Sequence, residues 1–252
     1  MLNKWFVTGD THGDFSRFYK LNNDATAAGE TYGVIILGDA GLNFWLSKRD
    51  KKLKGNINKK YPNLHFYCVR GNHEERPVNI PNMVCSYDDE VSGMVFHETA
   101  YPQIKYFVDG GEYTINNYKT LVVGGAYSVD KYYRIERAAT DPKVYLGWFE
   151  SEQLDEFEKE KIMYFTKDKS YDLVLTHTCP ISWQPTDLFL NCVNQSSVDS
   201  SMELWFDDLS YSIKWNVWLF GHYHADRLER PCVEMFYRDI ENLEDVMKRW
   251  KK

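Results

Sequence analysis

The sequence predicts an α/β fold in which apolar strands alternate with helices. Three short apolar segments, residues 4–9, 32–37 and 64–69, are separated by stretches with helical spacing, and each ends beside glycine or a polar residue. This pattern is typical of parallel strands that are covered on both faces. From residue 78 to 125 the segments become short and alternating, with Pro81, Pro102 and paired glycines, which predicts antiparallel strands and the join to a second sheet.

Length and charge limit the class of protein. A chain of 252 residues with 43% hydrophobic and 16% aromatic content can bury a sizeable core. The candidate site residues run from 10 to 224, so we predict a single domain over residues 1–252. A formal charge of −7 argues against extended nucleic-acid binding, because that surface requires a surplus of lysine and arginine.

Cysteine usage and the N-terminus predict a cytoplasmic protein. The five cysteines are an odd number, widely spaced and without a C-x-x-C pair, which favours a reducing compartment over a disulfide framework. The chain enters an apolar strand without a basic leader and contains no long apolar run, so we expect neither a signal peptide nor a membrane partner. No segment identifies a protein partner.

The first half of the chain is predicted to form three strand–helix units. Residues 4–9 are apolar, β-branched or aromatic and stop at glycine, as a short buried strand does. Residues 14–28 have helical spacing with Asp14 as a cap, and residues 47–60 form a lysine-rich exposed helix. The second and third strands, at 32–37 and 64–69, end before Gly38 and Arg70, so all three deliver polar groups to one sheet edge.

The second half adds strands of a further sheet and two helices. Residues 126–141 are predicted to form a polar aromatic loop, and residues 179–201 a lid or substrate loop. Residues 172–175, 217–220 and 233–236 are predicted strands, and residues 202–213 and the tail from about 240 are predicted helices. Ser151 is the predicted cap of a helix reaching Lys167, whose core-facing stripe is Leu154, Phe157, Ile162 and Phe165.

Carboxylate, amide and imidazole side chains recur immediately after these strands. The motifs are Gly9-Asp10-Thr11-His12-Gly13, Gly38-Asp39, Gly71-Asn72-His73-Glu74, Thr176-His177 and Gly221-His222-Tyr223-His224. A single Asp-x-His pair is weak evidence, but five of the seven histidines fall in these motifs. His65 and His97 lie in or at the end of strands without a motif, and we interpret both as structural.

The motifs provide more ligands than one ion needs. The seven candidate metal ligands carry nitrogen or oxygen and no thiolate: Asp10, His12, Asp39, Asn72, His177, His222 and His224. Seven ligands are best explained by two divalent ions that share Asp39. Mixed nitrogen and oxygen ligands suit Mn²⁺, our first expectation, or Fe or Zn²⁺, better than Ca²⁺ or Mg²⁺.

Two ions of this kind would attract a phosphoryl group. Ions about 3.5–4 Å apart can hold a bridging hydroxide as nucleophile and stabilise the charge on the phosphoryl oxygens. His73 follows Asn72 directly, so it can project toward the leaving oxygen and protonate it as general acid. Arg70, Glu74 and Glu75 either orient this motif or form surface ion pairs, and Arg134 with Tyr132 and Tyr133 either bounds the substrate or packs on the scaffold.

Taken in this order, the five motifs resemble those of the calcineurin-like metallophosphoesterase superfamily. The resemblance covers residues 9 to 224 and implies a four-layer αββα sandwich of two mixed β-sheets flanked by helices. It implies that one metal is held by Asp10, His12, Asp39 and His224, the other by Asp39, Asn72, His177 and His222, with His73 as the acid. Leu42-Asn43 stands where the Ser/Thr protein phosphatase branch has Asp-Arg, which argues against that activity.

Three functions are consistent with the sequence. The favoured one is a metal-dependent hydrolase acting on a phosphomonoester or small phosphodiester, with a phosphorylated small molecule or nucleotide as substrate. A nuclease or nucleotide hydrolase would use the same site and would need a basic aromatic groove, for which residues 131–137 are the candidate. A non-catalytic metal-binding interaction module is the third, and the intact His73 argues against it.

Overall fold

The computed structural model describes residues 2–189 and 191–250, and in this part of the chain two β-sheets pack face to face. The strands are β1 (Lys4–Thr8), β2 (Tyr32–Ile36), β3 (Leu64–Cys68), β4 (Met83–Asp88), β5 (Gly93–Glu98), β6 (Ile104–Phe107), β7 (Gly111–Ile115), β8 (Tyr118–Val123), β9 (Ser170–Thr176), β10 (Lys214–Phe220), β11 (Arg227–Arg230), β12 (Val233–Met235) and β13 (Glu241–Asn242). The helices are α1 (Tyr19–Ala28), α2 (Lys48–Lys60), α3 (Lys131–Thr140), α4 (Glu156–Thr166), α5 (Ser201–Ser212) and α6 (Leu243–Trp250).

Each sheet has parallel strands at its centre and antiparallel strands toward its edges. The seven-stranded sheet has the order β13-β1-β2-β3-β6-β5-β4, and β1, β2, β3 and β6 are mutually parallel neighbours. The six-stranded sheet has the order β11-β12-β10-β9-β8-β7, with β8, β9, β10 and β12 parallel. Both sheets therefore present several parallel carboxyl ends, where open α/β sheets place their ligands.

The apolar runs are continuous because both faces of the central strands are buried. In β2 and the residue after it, Ile35 and Leu37 pack between the two sheets, whereas Val34 and Ile36 pack on the outer face of the first sheet. All four side chains have no exposed surface. Such a strand shows no polar alternation, which is the pattern that predicted it as an interior parallel strand.

Helices cover the outer face of each sheet, so the predicted αββα sandwich is confirmed. Ala25 of α1 and Ile57 of α2 belong to the apolar cluster outside the first sheet. Ile162 of α4 and Phe206 of α5 belong to the cluster outside the second. Leu243 of α6, by contrast, joins the cluster between the sheets. None of the described helices is both long and apolar enough to cross a bilayer.

The prediction that residues 78–125 form antiparallel strands is only partly right. The pairs β4–β5, β5–β6 and β7–β8 are antiparallel, but β6 runs parallel to β3 and β8 runs parallel to β9. The chain passes from the first sheet to the second between β6 and β7. Strands β4 and β11 were not predicted, because most of their side chains are partly or fully exposed and give no apolar run.

The prediction of a loop over residues 126–141 is wrong, because this segment contains α3. None of the residues in α3 is buried, so this helix contributes no side chain to the apolar core. Its first turn is stabilised by an ion pair four residues apart, in which Arg134 Nε lies 2.7 Å from Asp130 Oδ2. The predicted loop 179–201 is confirmed as irregular, with three short 3₁₀ turns; Leu190 lies outside the described residues.

Two predicted helix caps are also wrong. The cap of α4 is Asp155, not Ser151: Asp155 accepts the backbone N–H of Glu158, and Glu158 accepts that of Asp155, so a capping box fixes the start. Only part of its predicted stripe packs inward, because Ile162 is buried whereas Phe157 is exposed. Asp14 accepts the N–H of Ser16 in a 3₁₀ turn that precedes α1.

Candidate metal centre

Residues from both sheets meet at one edge of the sandwich. Asp10, Asp39 and Asn72 follow β1, β2 and β3 of the first sheet, and His177 and His222 follow β9 and β10 of the second. The two sheets come together at this edge, and within the second sheet Gly221 N donates to His177 O at 2.9 Å. Residues from opposite ends of the chain are thereby brought within a few ångströms of one another.

Four of the seven candidate ligands have a left-handed backbone. His12 and Asp39 each have φ of 46°, His222 has 70° and His224 has 54°. Non-glycine residues adopt this region rarely, at a cost of about 1–3 kcal/mol each, and such residues cluster at functional sites. The turn after each strand therefore reverses sharply, which directs several polar side chains into one space.

The first group of side chains is Asp10, His12 and His224. His224 Nε2 lies 3.3 Å from Asp10 Oδ2 and 2.9 Å from His12 Nε2, and His12 Nε2 lies 3.8 Å from Asp10 Oδ2. Three ligand atoms within this distance of one another can bind a single cation. Asp10 Oδ2 is buried and makes no hydrogen bond of good geometry with a described residue, as expected for an oxygen that binds an ion.

The second group lies around Asp39. His177 Nε2 is 3.7 Å from Asp39 Oδ1, and Asp10, Asp39 and His177 together can bind a cation. The His222 ring is centred 5.0 Å from the His177 ring, and the N–H of His222 donates to Asp10 Oδ1 at 3.0 Å. The two groups share Asp10 and lie side by side, so a cation bound by one group would lie next to the other group.

The hydrogen bonds of His177 fix its tautomer. Its Nδ1 lies 2.7 Å from the carbonyl oxygen of Leu37, which can only accept, so Nδ1 carries a proton, and in the neutral ring Nε2 then carries the lone pair. That lone pair faces Asn72 Oδ1, a second acceptor, at 2.9 Å. A shared cation stabilises two acceptors that face each other, and a carbonyl on the distal nitrogen is typical of metal-binding histidines.

The charges at the site keep its carboxylates ionised and one imidazole neutral. Burial by itself raises the pKa of Asp39, but the neighbouring His73 and His177 hold it well below its ordinary value. Burial also raises the pKa of Asp10, which the close His224 imidazole and His177 lower overall. Burial lowers the pKa of His222 to about 3, so its ring offers a lone pair at neutral pH.

Gly38 allows this packing, and its replacement gives a first prediction. Gly38 has φ of 97°, and a Cβ there would lie 2.0 Å from His177 Nδ1, whereas Gly29, with φ of 65°, has no atom within 4 Å of such a Cβ. We expect Gly29→Ala to cost about 1 kcal/mol of stability through backbone strain alone. We expect Gly38→Ala to displace His177 and to weaken Mn²⁺ binding at least about tenfold as well, measured by calorimetric titration. Equal Mn²⁺ affinity in the two variants would contradict this role of Gly38.

Several residues that support the ligands were not predicted from the sequence. Arg17 donates to the carbonyl oxygens of Asp10 and Tyr237, at 2.8 Å and 2.5 Å, and so ties the first motif to the chain after β12. Ser128 accepts from Asn72 Nδ2 at 2.9 Å and itself donates to the buried Glu152. Arg17 and Glu152 lie outside recognisable sequence motifs. Ser128 lies three residues after the glycine pair that follows β8, and this glycine pair was the one sequence feature that could have marked it.

Arg70, Glu74 and Glu75, whose roles the sequence did not decide, have structural roles. Arg70 is buried and donates to Asp109 and to backbone carbonyls, including that of Glu152 at 2.7 Å. Glu74 is buried and accepts the N–H of Gly71 at 3.0 Å, and burial together with the charge of Asp39 raises the pKa of Glu74 to about 8. The remaining acid of this motif, Glu75, accepts from Asn79 Nδ2 at 2.8 Å.

Arg134 lies at the site, whereas the two histidines interpreted as structural, His65 and His97, lie away from it. Arg134 borders a cavity beside the centre together with His73, whereas Tyr132 and Tyr133 are largely exposed. His97 lies 3.0 Å from Ser86 Oγ across the β4–β5 pair, which agrees with a structural role. His65 is on β3, and burial lowers its pKa.

Glu203 is a buried acid beside the site, and its ionisation gives a second prediction. Thr178 Oγ1 donates to Glu203 Oε1 at 2.8 Å, and burial raises the pKa of Glu203 to about 7. The folded chain therefore keeps a proton that the unfolded chain loses near pH 4.5, so this group's contribution to stability is present below about pH 4.5 and is lost as pH rises to 7. We expect Glu203→Gln to stabilise the metal-free protein increasingly from about pH 5 to 7, by up to roughly 3 kcal/mol.

The measurement is thermal unfolding in chelator at several pH values. Glu160, an exposed residue of α4, provides the matched control, because Glu160→Gln removes a carboxylate that remains in water. A stability difference between Glu203→Gln and the native chain that does not change between about pH 5 and 8 would show that Glu203 titrates normally.

Comparison with known proteins identifies the family and the fold. The family model for calcineurin-like phosphoesterases matches residues 4–226. One crystal structure aligns with 97% of this chain and 96% of its own, with a TM-score of 0.51 at 12% identity. This likeness shows the fold alone. No curated protein matches the chain.

Two further solved structures resemble the chain more weakly. A protein of Thermus thermophilus gives a TM-score of 0.45 at 13% identity, over 96% of this chain and 98% of that one. Phosphopantetheinyl hydrolase from Mycobacterium tuberculosis gives a TM-score of 0.41 at 12% identity, over 99% of this chain and 93% of that one. Scores at this level support no conclusion about activity.

Proposed function

The chain belongs to the calcineurin-like phosphoesterase family, and on that basis we propose that it is a phosphoester hydrolase that works with two divalent metal ions. The observation that supports this most directly is the convergence of side chains from separate motifs on Asp10 and Asp39. Four of the candidate ligands have a left-handed backbone, a conformation that clusters at functional sites.

The residues at the site fit two ions. We assign Asp10, His12, Asp39 and His224 to one ion and Asp39, Asn72, His177 and His222 to the other. Two observations support this assignment: Asp10 Oδ2 is buried and makes no hydrogen bond of good geometry with a described residue, and His177 Nε2 lies 2.9 Å from Asn72 Oδ1. When bound, two divalent ions lower the pKa of a water molecule and neutralise charge on phosphoryl oxygens. The nitrogen and oxygen donors, without thiolate, favour manganese, with iron or zinc as alternatives.

His73 is the proposed general acid. Its backbone N–H donates to Asp39 Oδ1 at 2.8 Å, and its ring Nε2 lies 4.0 Å from Asp39 Oδ2, so His73 is held beside the aspartate that we assign to both ions. The ring nitrogen Nδ1 is buried and makes no hydrogen bond with a described residue. Burial lowers the pKa of His73, and the negative charge of a bound phosphoester favours the protonated ring that a leaving oxygen requires.

The structure gives little support for a nuclease. A nuclease would need cations free to face a strand, yet Lys131 lies over the Trp148 ring at 4.5 Å and Arg134 pairs with Asp130. Protein phosphatase activity is likewise disfavoured, because Leu42 is packed in the core and Asn43 accepts from the buried Lys54 at 2.6 Å. A non-catalytic metal-binding module would bind Mn²⁺ without turnover, so the experiment below separates it from an enzyme.

The test is hydrolysis by the full chain after loading with Mn²⁺. We expect cleavage of activated aryl phosphoesters that stops on addition of a chelator and returns with Mn²⁺. Metal bound without any turnover would favour the interaction module and overturn the proposal. The five cysteines are all unpaired, which supports the further proposal of a cytoplasmic location.

A further inference from the structure

Two cavities meet at the candidate metal centre, and three residues, His73, Asp130 and His224, border both of them. The first, the aromatic cavity, has a volume of about 370 Å³ and is also lined by Tyr127, Phe189 and Tyr223. The second, the arginine cavity, has a volume of about 590 Å³ and is also lined by Trp45, Arg49 and Arg134. A phosphoryl group at the centre therefore has room for a substituent on either side.

The aromatic cavity suits an uncharged, apolar substituent. The rings of Phe189 and Tyr223 are nearly parallel, 17° apart in plane and 6.4 Å between centres. Among the described residues that line this cavity there is no lysine or arginine, and beyond the candidate ligands its ionisable groups include the acids Asp130 and Glu203. A second phosphate on this side would find no lysine or arginine among these lining residues to pair with, whereas an aromatic or aliphatic group would bury apolar surface.

The arginine cavity has a different chemistry. The guanidinium of Arg49 lies over the Trp45 ring, 3.5 Å from its centre, and it forms no ion pair within the described part of the chain. Arg134 is held more rigidly, with Nε on Asp130 Oδ2 and Nη1 donating to the carbonyl oxygen of Gly147 at 2.8 Å. A free, stacked guanidinium suits a planar group or one that carries hydrogen-bond acceptors or negative charge.

We propose that the substrate is a phosphodiester with two unlike substituents, an apolar one in the aromatic cavity and a planar, polar or anionic one in the arginine cavity. This inference rests on the proposed function. A monoester has a single substituent and leaves one cavity to water, whereas a diester fills both. Water adds across one P–O ester bond, so the products are a phosphomonoester and an alcohol, whose oxygen takes up the proton.

The first test compares bis(p-nitrophenyl) phosphate with p-nitrophenyl phosphate, using the Mn²⁺-loaded full chain. We expect kcat/KM at least about tenfold higher for the diester, because only the diester can fill both cavities. A monoester cleaved as well as or better than the diester overturns this inference and leaves the proposed function intact. If neither ester is hydrolysed, both this inference and the proposed function are overturned.

The second test uses one variant in each cavity. We expect Phe189→Ala and Trp45→Ala each to raise KM for the diester about tenfold. Only one of the two variants should raise KM for the monoester, because its single aryl group occupies one cavity. Phe157, 74% exposed on α4, provides the control Phe157→Ala, which should leave both KM values unchanged. Equal effects of the two variants on both esters, or no effect on either, contradict the assignment of two substituent cavities.

A third variant guards against misfolding of Trp45→Ala. Arg49 is exposed, so Arg49→Gln removes the charge with little effect on the fold. With the p-nitrophenyl ester of thymidine 5′-phosphate, whose thymine is planar and carries carbonyl acceptors, we expect KM to rise about fivefold or more. An unchanged KM for this diester removes the arginine cavity from the substrate site.

Discussion

Replacement of Asp39 by asparagine is expected to abolish hydrolysis, with kcat/KM reduced by at least about 10³-fold. Asp39 is buried and lies near both groups of candidate ligands, 3.7 Å from His177 Nε2 and 3.9 Å from His12 Nδ1. The amide keeps the shape of the side chain and can still accept the N–H of His73, but it loses the negative charge. Removal of even an outer partner of a metal ligand typically costs about 10–100-fold, so loss of a shared ligand should cost more.

Metal content distinguishes this effect from misfolding. We expect Asp39→Asn to retain the native unfolding transition and to bind less than two equivalents of Mn²⁺, measured by elemental analysis after gel filtration. Asp88 is the matched control, because it is another buried aspartate, accepts from Tyr67 Oη at 3.2 Å, and lies outside the candidate centre. Two bound Mn²⁺ ions and normal turnover in Asp39→Asn would remove Asp39 from the centre.

Replacement of His73 by alanine is expected to reduce kcat by about 10²–10⁴-fold while metal binding is retained. The reduction should depend on the leaving group. A p-nitrophenolate leaves without protonation, so its ester should be affected least, whereas an alkyl ester with a basic leaving oxygen should be affected most. This dependence is specific for a general acid, because loss of binding alone would lower both rates by the same factor.

The measurement is single-turnover hydrolysis of the two esters at saturating Mn²⁺. His97, which contacts Ser86 away from the site, provides the control His97→Ala, expected to keep the native rate with both esters. An equal loss of rate for both leaving groups in His73→Ala would assign His73 to positioning, and full activity would remove it from the mechanism.

The backbone strain at the centre has a physical reason. His12, Asp39, His222 and His224 adopt left-handed backbone conformations whose cost the core must offset. Strand residues such as Ile35 and Leu219 are fully buried between the layers and hold the turns in place. The ligands are therefore pre-positioned by the sandwich rather than assembled by the ion, which is why we expect Asp39→Asn to remain folded.

Much of the fold could be predicted because its signals are local. The central strands, β1, β2, β3, β9 and β10, are rich in apolar residues, and each ends at a polar or glycine turn, so their positions follow from hydrophobic pattern alone. Exposed elements gave no such signal. Helix α3 buries none of its residues and was predicted as a loop, and α4 takes its cap from Asp155 rather than Ser151 because Asp155 and Glu158 form a reciprocal pair of hydrogen bonds.

The sequence alone was enough to select the candidate ligands at the strand ends, from Asp10 to His224, because glycine turns and ligand types are local features of the sequence. Three further facts needed the folded molecule: His177 Nε2 faces Asn72 Oδ1, Arg17 and Ser128 support the ligands, and two unlike cavities meet at His73. Most of these contacts join residues far apart in the chain, and their distances depend on how the two sheets pack, which no local pattern encodes.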